Sequence, residues 1–207
     1  MRRSPRSTAA VADEIQVRRA RTDDVPAIAP LLHMPAVGLD RMAGSRETAL
    51  RIIAADLERG GRDVTWVAEL DGAPVGVLVA YPCREQPARA RRFLAALLRH
   101  APPWRWAAIA LLQWRGDRRA PQHPGNHLFI DALATEGGYR RRGVATALLE
   151  RADRIAARSG FPAIALNARR DDDAALALYR RAGFREANVL AATPPDPEGV
   201  VLVKELA

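Results

Sequence analysis

Apolar positions in this chain follow two rhythms, one with a period of two and one with helical spacing, and their succession predicts an α/β protein. Ile15-Gln16-Val17-Arg18 alternates as a strand does. Thr65–Leu70 and Ala73–Tyr81 alternate again around Asp71-Gly72, which supplies the positive φ angles of a tight hairpin. Helical spacing begins after Asp23 or Asp24, either of which can cap a helix through Ile28, Leu31 and Leu32. It returns from Arg46 to Arg59, where Leu50, Ile52, Ile53 and Leu57 are suitably spaced and Gly60-Gly61 ends the run. A loop holding His33 and Met34 is expected between these two helices.

Residues 82–125 interrupt the strands with two helical stretches, about 88–100 and 104–115, separated by Pro102-Pro103. Phe93, Leu94, Leu97 and Leu98 fall on one face of the first; Trp104, Ala108, Leu111 and Leu112 fall on one face of the second. This predicts a helical hairpin inserted into a sheet. Beyond Asn126 the pattern predicts a strand over 128–135, a helix over 144–158, a strand over 163–168 and a helix over 173–182 closed by Gly183. Strands over 185–190 and 199–205 flank a proline-rich loop at 194–197.

The composition suits a folded chain: of 207 residues, 48% are hydrophobic and 27% charged, which excludes disorder over the whole length. Residues 1–14 are expected to be a disordered basic tail and 15–207 a single domain. No apolar run reaches the length of about 18 residues that a membrane-spanning helix needs, and no apolar segment follows Arg2-Arg3 to make a secretory signal. One cysteine, Cys83, excludes an internal disulfide and a cysteine-rich zinc site, and fits a cytoplasmic protein. The net charge of +8 points to an anionic partner, either a polyanion or a small ligand such as a nucleotide phosphate.

The segment Tyr139-Arg140-Arg141-Arg142-Gly143-Val144-Ala145-Thr146 chooses between them. It lies between a strand and an amphipathic helix, where unpaired backbone N–H groups and the helix dipole attract an anion. Gly143 lets the backbone come close to a phosphate, and Ala145 keeps the next position small. Neither a Gly-Lys-Ser/Thr nor a G-x-G-x-x-G motif is present. Arg140, Gly143 and Ala145 instead resemble the acetyl-coenzyme A loop of the GNAT superfamily of N-acetyltransferases. Ala175, Leu178, Tyr179, Gly183 and Phe184 resemble the same family's later signature, and Ile130–Thr135 resembles its fourth strand. The likeness is close over 128–186 and looser over 15–81.

The resemblance implies a mixed, mostly antiparallel sheet, flanked by helices and splayed between its fourth and fifth strands, with the helical insertion before the fourth. It also implies that acetyl-coenzyme A lies in the split. Backbone groups of Leu133, Ala134 and Thr135 would pair with its pantetheine arm, and Arg141 to Ala145 would hold the pyrophosphate beside Arg140 and Thr146. Asp172 and Ala175 would stand near the cofactor, Asp172 where relatives usually have Asn. An amine would attack the thioester directly through a tetrahedral intermediate, with Tyr179 as general acid and an N–H near Leu133 or Thr135 holding the oxyanion. Many relatives carry Glu where this chain has Asn167, so the base falls to Asp131, a carboxylate in an apolar strand whose pKa burial would raise, or to water.

No metal is expected, since Pro124-Gly125 separates His123 from His127 and no third ligand is evident. The tryptophans of the insertion, Trp104, Trp106 and Trp114, leave four readings open: a lid, a homodimer contact, a membrane-surface face, or packing on the domain itself. Two rival functions also stay open, an acyl-coenzyme A sensor without turnover and a nucleic-acid-binding module. Scattered basic groups and 5% aromatics argue against the second, so no nucleic acid is expected as partner. The acceptor amine, on a small molecule or a protein, is not named by the sequence.

Overall fold

A computed structural model describes residues 14–36, 38–107, 109–110, 123–190 and 198–206. Among the described residues seven strands form one sheet, β1 (Gln16–Arg19), β2 (Thr65–Leu70), β3 (Ala73–Pro82), β4 (Leu128–Thr135), β5 (Ala163–Arg169), β6 (Arg185–Leu190) and β7 (Gly199–Glu205). Their spatial order is β1-β2-β3-β4-β5-β7-β6, and every neighbouring pair is antiparallel except β4 and β5. The hairpin predicted at Asp71-Gly72 is present, with φ of 53° and 77° at those two residues.

Helices α1 (Val25–His33), α2 (Leu39–Ala43), α3 (Arg46–Asp56) and α4 (Gln86–His100) cover one face. Helices α5 (Val144–Ser159) and α6 (Asp173–Arg181) cover the other. The alternation within the strands feeds both cores: Val67 and Val77 point to the first layer, while Ala68 and Leu78 point to the second. Val144, Leu148, Leu149, Ala152 and Ala156 form the stripe that seats α5 on the sheet.

Three local expectations need correcting. The loop around His33 is shorter than expected, because His33 is the last residue of α1, pairs with Asp40 at 2.6 Å and is followed by α2. The helix expected over 46–59 leaves α geometry at Asp56 and passes through a wider turn, Leu57–Gly61, with Gly60 at φ 106°. Asp24 stands at the N-cap of α1 without a capping bond; its carboxylate instead takes two bonds from Arg18, at 2.6 and 2.8 Å, and one from the Arg21 N–H. Arg18 also meets Glu69 at 2.5 Å, so one guanidinium ties β1, the start of α1 and β2 together.

Of the insertion, α4 packs on the domain itself through Ala96 and Leu97, with Phe93, Leu94 and Leu98 alongside, and Arg92 reaches Asp56 of α3 at 2.9 Å. Trp104 and Trp106 stay outside that core, 80% and 48% exposed. Trp114, half of the second predicted helix and nearly all of the predicted tail lie outside the described residues. Among the described residues no helix is long and apolar enough to cross a membrane.

Candidate active site at the split between strands four and five

The parallel pairing of β4 and β5 has three rungs, Leu128 with Ile164, Phe129 with Ala165 and Ile130 with Leu166, and then stops. The next residues, Asp131 and Asn167, stand on opposite lips of the opening. The register of β3 with β4 shifts at the same place. Val79 opposes Ala132 and Ala80 opposes Ile130, so Asp131 is the extra residue of a β-bulge, a device that bends a strand and re-aims a side chain. From there Leu133, Ala134 and Thr135 pair with Leu78, Val77 and Gly76 on one side, while β5 has left the other. The Thr135 hydroxyl is buried and has no hydrogen-bond partner among the described residues.

The strand leads into the predicted anion cradle. A short turn at Gly137–Tyr139 precedes Arg140, and then Arg141 at φ 63° and Gly143 at φ 88° swing the chain into α5. No side chain caps the start of α5, and its first intrahelical bond runs from the Ala147 N–H to the Gly143 carbonyl. The N–H groups of Val144, Ala145 and Thr146 are thus disposed to meet an anion. Arg140, Arg141 and Arg142 are exposed around them, with the Arg142 guanidinium 5.4 Å from the Tyr139 ring centre. Val144 is anchored below, where Gly76 of β3 leaves it room: a Cβ there would lie 2.5 Å from its Cγ1.

On the side of α1–α4 the opening meets a cavity of about 1010 Å³. Leu32, Leu39, Ile53, Leu57, Phe93 and Leu94 form much of its apolar wall, and Asp131, Ala132 and Asn167 bring the lips of the split into it. The Tyr81 hydroxyl donates to Asp131, and the Arg89 guanidinium covers the Tyr81 ring at 4.6 Å while pairing with Glu85 at 2.7 Å. Loss of hydration raises the pKa of Asp131, against the opposing pull of Tyr81. The side chain of Asp131 is exposed to the open cavity. Burial raises Tyr81 as well, and pushes the Cys83 thiol up to about 11, which leaves that thiol protonated and unreactive.

Tyr179 lies in the other layer. It is buried, its ring meets Phe184 edge to face at 5.9 Å, and burial with the nearby charge of Asp172 pushes its pKa up to about 12. Gly183 at φ 92° ends α6 so that Phe184 folds back onto the tyrosine, which is the physical content of the Leu-Tyr and Gly-Phe signature. Asp172 caps α6 by accepting from the Ala175 N–H at 3.0 Å. Tyr179 does not line the cavity that Asp131 enters; the split between β4 and β5 separates the two.

Sequence reasoning missed two residues of the site. Tyr81 was read only as the end of a strand, and the bulge that brings it to Asp131 has no local signature. His123 was weighed only as a metal ligand, yet it lines the cavity beside Asn167, with its ring tilted against that of Phe129 at 5.1 Å between centres. Among the described residues no group of three or more His, Cys, Asp or Glu gathers to hold a metal.

A sheet split beyond one parallel pair, with an uncapped helix start at one end of the split and a cavity at the other, is the plan of an acyl-coenzyme A-dependent N-acetyltransferase. The family model for the acetyltransferase (GNAT) family matches residues 36–184, and the chain belongs to that family. Members transfer an acetyl group from acetyl-coenzyme A, and this chain is an N-acetyltransferase of that kind. Among solved structures it is similar to an N-acetyltransferase from Staphylococcus aureus Mu50, with 20% identity, a TM-score of 0.68, and coverage of 91% of this chain and 99% of that one. It is similar also to the ribosomal-protein-S18-alanine N-acetyltransferase from Escherichia coli, with 16% identity, a TM-score of 0.56, and coverage of 94% and 95%. A third is the PaiA N-acetyltransferase from Thermoplasma acidophilum in complex with coenzyme A, with 12% identity, a TM-score of 0.55, and coverage of 93% and 99%. At these identities the likeness is one of fold.

Proposed function

We propose that this enzyme acetylates a primary amine held in the cavity beneath α4, by direct attack of the amine on the thioester at the lips of the split. The observation that supports this most is the parting of β4 and β5 at Asp131 and Asn167, since both line the cavity and β4 runs on from there toward the anion cradle. When bound, acetyl-coenzyme A supplies the activated acetyl group. The N–H groups from Arg141 to Ala145, with Arg140 and Thr146 beside them, hold its pyrophosphate. The one-sided backbone of Leu133, Ala134 and Thr135 pairs with its arm, and Asp172 with Ala175 borders it from α6.

Asp131 receives the proton of the attacking nitrogen, directly or through a water, because its raised pKa brings a carboxylate nearer to the working range of a base. An N–H of Leu133 or Thr135 stabilises the oxyanion. Tyr179 keeps its proton at neutral pH and is the general acid for the leaving thiolate. The acceptor is a small-molecule amine or a protein amino group, and the setting is cytoplasmic.

Calorimetry on the wild type and on Gly143→Asp tests the cradle. The substitution sets a carboxylate against the pyrophosphate, so acetyl-coenzyme A binding is expected to vanish, and because φ there is 88° it also costs about 1–2 kcal/mol of stability, which a thermal melt of the same variant reads. Unchanged affinity would remove the cradle from this account. Retained binding with no thiol release on any amine would turn the reading toward an acyl-coenzyme A sensor.

A further inference from the structure

Charge on the cavity wall limits which amine can enter. Among the described residues the charged side chains bordering it are Asp56, Asp131, Arg84, Arg89, Arg91 and Arg92. Arg92 is spent on Asp56 at 2.9 Å, and Arg89 on Glu85 at 2.7 Å. Arg84 and Arg91 are exposed where the wall meets solvent, and neither meets a carboxylate among the described residues. His123, Tyr81 and Cys83 add no charge at neutral pH, since burial lowers the pKa of the histidine and raises those of the phenol and the thiol. The balance is two free guanidinium groups against one carboxylate at most, Asp131.

An ammonium ion approaching a net positive cavity is repelled unless its own molecule carries negative charge. We propose that the acceptor is an amine with an apolar body and an anionic carboxylate or phosphate group, which Arg84 and Arg91 hold at the rim while the nitrogen meets Asp131 at the split. This rests on the acetyl-transfer reading above. The wall between rim and split has the matching character. Leu32, Leu39, Ile53, Leu57, Phe93 and Leu94 supply apolar surface, and the Thr65 hydroxyl is spent on the Gly61 carbonyl at 2.8 Å. A volume of about 1010 Å³ has room for a body larger than a simple alkylamine. A polyamine or an aminoglycoside, with several positive charges and no anionic group, suits neither the charge nor the wall.

Local structure explains why these two arginines are the free ones. Arg91 and Arg92 are adjacent on α4 and so project about 100° apart around the helix. Arg92 reaches Asp56 on α3, whereas Arg91 turns away from that neighbour. Arg84 lies in the short turn Cys83–Glu85 between β3 and α4, close to the backbone of Gly125, where a Cβ would stand 3.7 Å from its own. The reaction conserves the feature these arginines would read. R–NH3+ plus acetyl-coenzyme A gives R–NH–acetyl, coenzyme A thiol and one H+ to solvent, so the product keeps its body and its anionic group and loses only the positive charge. The N-acetylated compound therefore suits the same rim, and its binding can be measured without turnover.

The test uses matched acceptors: an arylalkylamine, and the same skeleton carrying a carboxylate or a phosphate. Wild-type kcat/KM should be about tenfold higher for one of the anionic acceptors than for the parent amine, with the advantage shrinking as salt screens the charge. The double variant Arg84→Gln with Arg91→Gln should raise KM for that acceptor about tenfold with kcat kept, and change little for the parent amine, which offers the arginines nothing to hold. In calorimetry the N-acetyl derivative of the anionic acceptor should lose about the same factor in affinity on the double variant. Which of the two anionic acceptors is preferred names the group. A parent amine used as well as both anionic acceptors, or equal effects of the double variant on charged and uncharged acceptors, would overturn the assignment. A wild type that releases no thiol with any amine would instead overturn the transfer reading, and the calorimetry would still judge the two arginines.

Discussion

Asp131 carries two opposed demands in one side chain. It is the residue β4 bulges out to present, and the loss of hydration there raises its pKa above the unfolded value of about 3.9. A carboxylate whose folded pKa is raised gives its full support to the fold below the unfolded pKa and loses it as pH rises past that value. Asp131→Asn is therefore expected to raise the melting temperature at pH 7, to leave it unchanged near pH 3, and to slow thiol release. Equal or lower thermal stability of the variant at pH 7 would show that the bond from Tyr81 outweighs the cost of hydration lost.

Among the elements, the start of α5 depends on how closely it lies on β3. A Cβ on Gly76 would stand 2.5 Å from Val144 Cγ1 and 3.1 Å from Leu148 Cδ1, both inside the helix that carries the cradle. Gly76→Val is expected to cost about 1–3 kcal/mol of stability in a urea titration and to weaken acetyl-coenzyme A binding through displaced N–H groups. Gly138→Ala, next to the same cradle but with open space around it, should do neither. If Gly76→Val binds the ligand as the wild type does, the position of Val144 does not govern the cradle.

At the other edge, Arg18 joins β1, α1 and β2 through Asp24 and Glu69, and its bonds hold the pKa of both carboxyls below their usual values. A lowered folded pKa contributes stability that is present above the unfolded value, about 3.9 for Asp24, and is lost as pH falls through it. Asp24→Ala should cost about 1.5–3 kcal/mol at pH 7, the scale of a lost charge-assisted bond, because Arg18 would keep only Glu69. The variant should also show a flatter fall in stability between pH 5 and pH 2 than the wild type. Parallel profiles would mean the pair contributes nothing specific.

For the whole molecule, the sequence showed most of what local chemistry decides. The Asp71-Gly72 hairpin, the bounds of β4, β6 and β7 and the start of α5 are written in alternation, turn residues and a glycine that can take positive φ. The cradle was legible because its geometry is built from consecutive residues. The acceptor side was not, since the cavity is assembled from α1, α3, α4 and three strands far apart in sequence, and the bulge at Asp131 arises from pairing with β3. His123 shows the difference well: it precedes β4 in a loop, Asn167 lies on β5, and only the fold brings both to the wall of one cavity. The net charge of +8 was ambiguous for a similar reason, as Arg18, Arg89 and Arg92 spend their charge on carboxylates inside the domain.

The roles given to the cradle, the split and the cavity all meet in one reaction, transfer of acetyl from acetyl-coenzyme A to an amine at the split between β4 and β5. Thiol release from acetyl-coenzyme A, followed continuously against a panel of alkylamines, amino acids, aminoglycosides and peptide N-termini, tests it most directly. Release should depend on one class of amine, with one N-acetyl product formed per thiol. Tight binding of acetyl-coenzyme A with no amine-dependent release across the panel would contradict it.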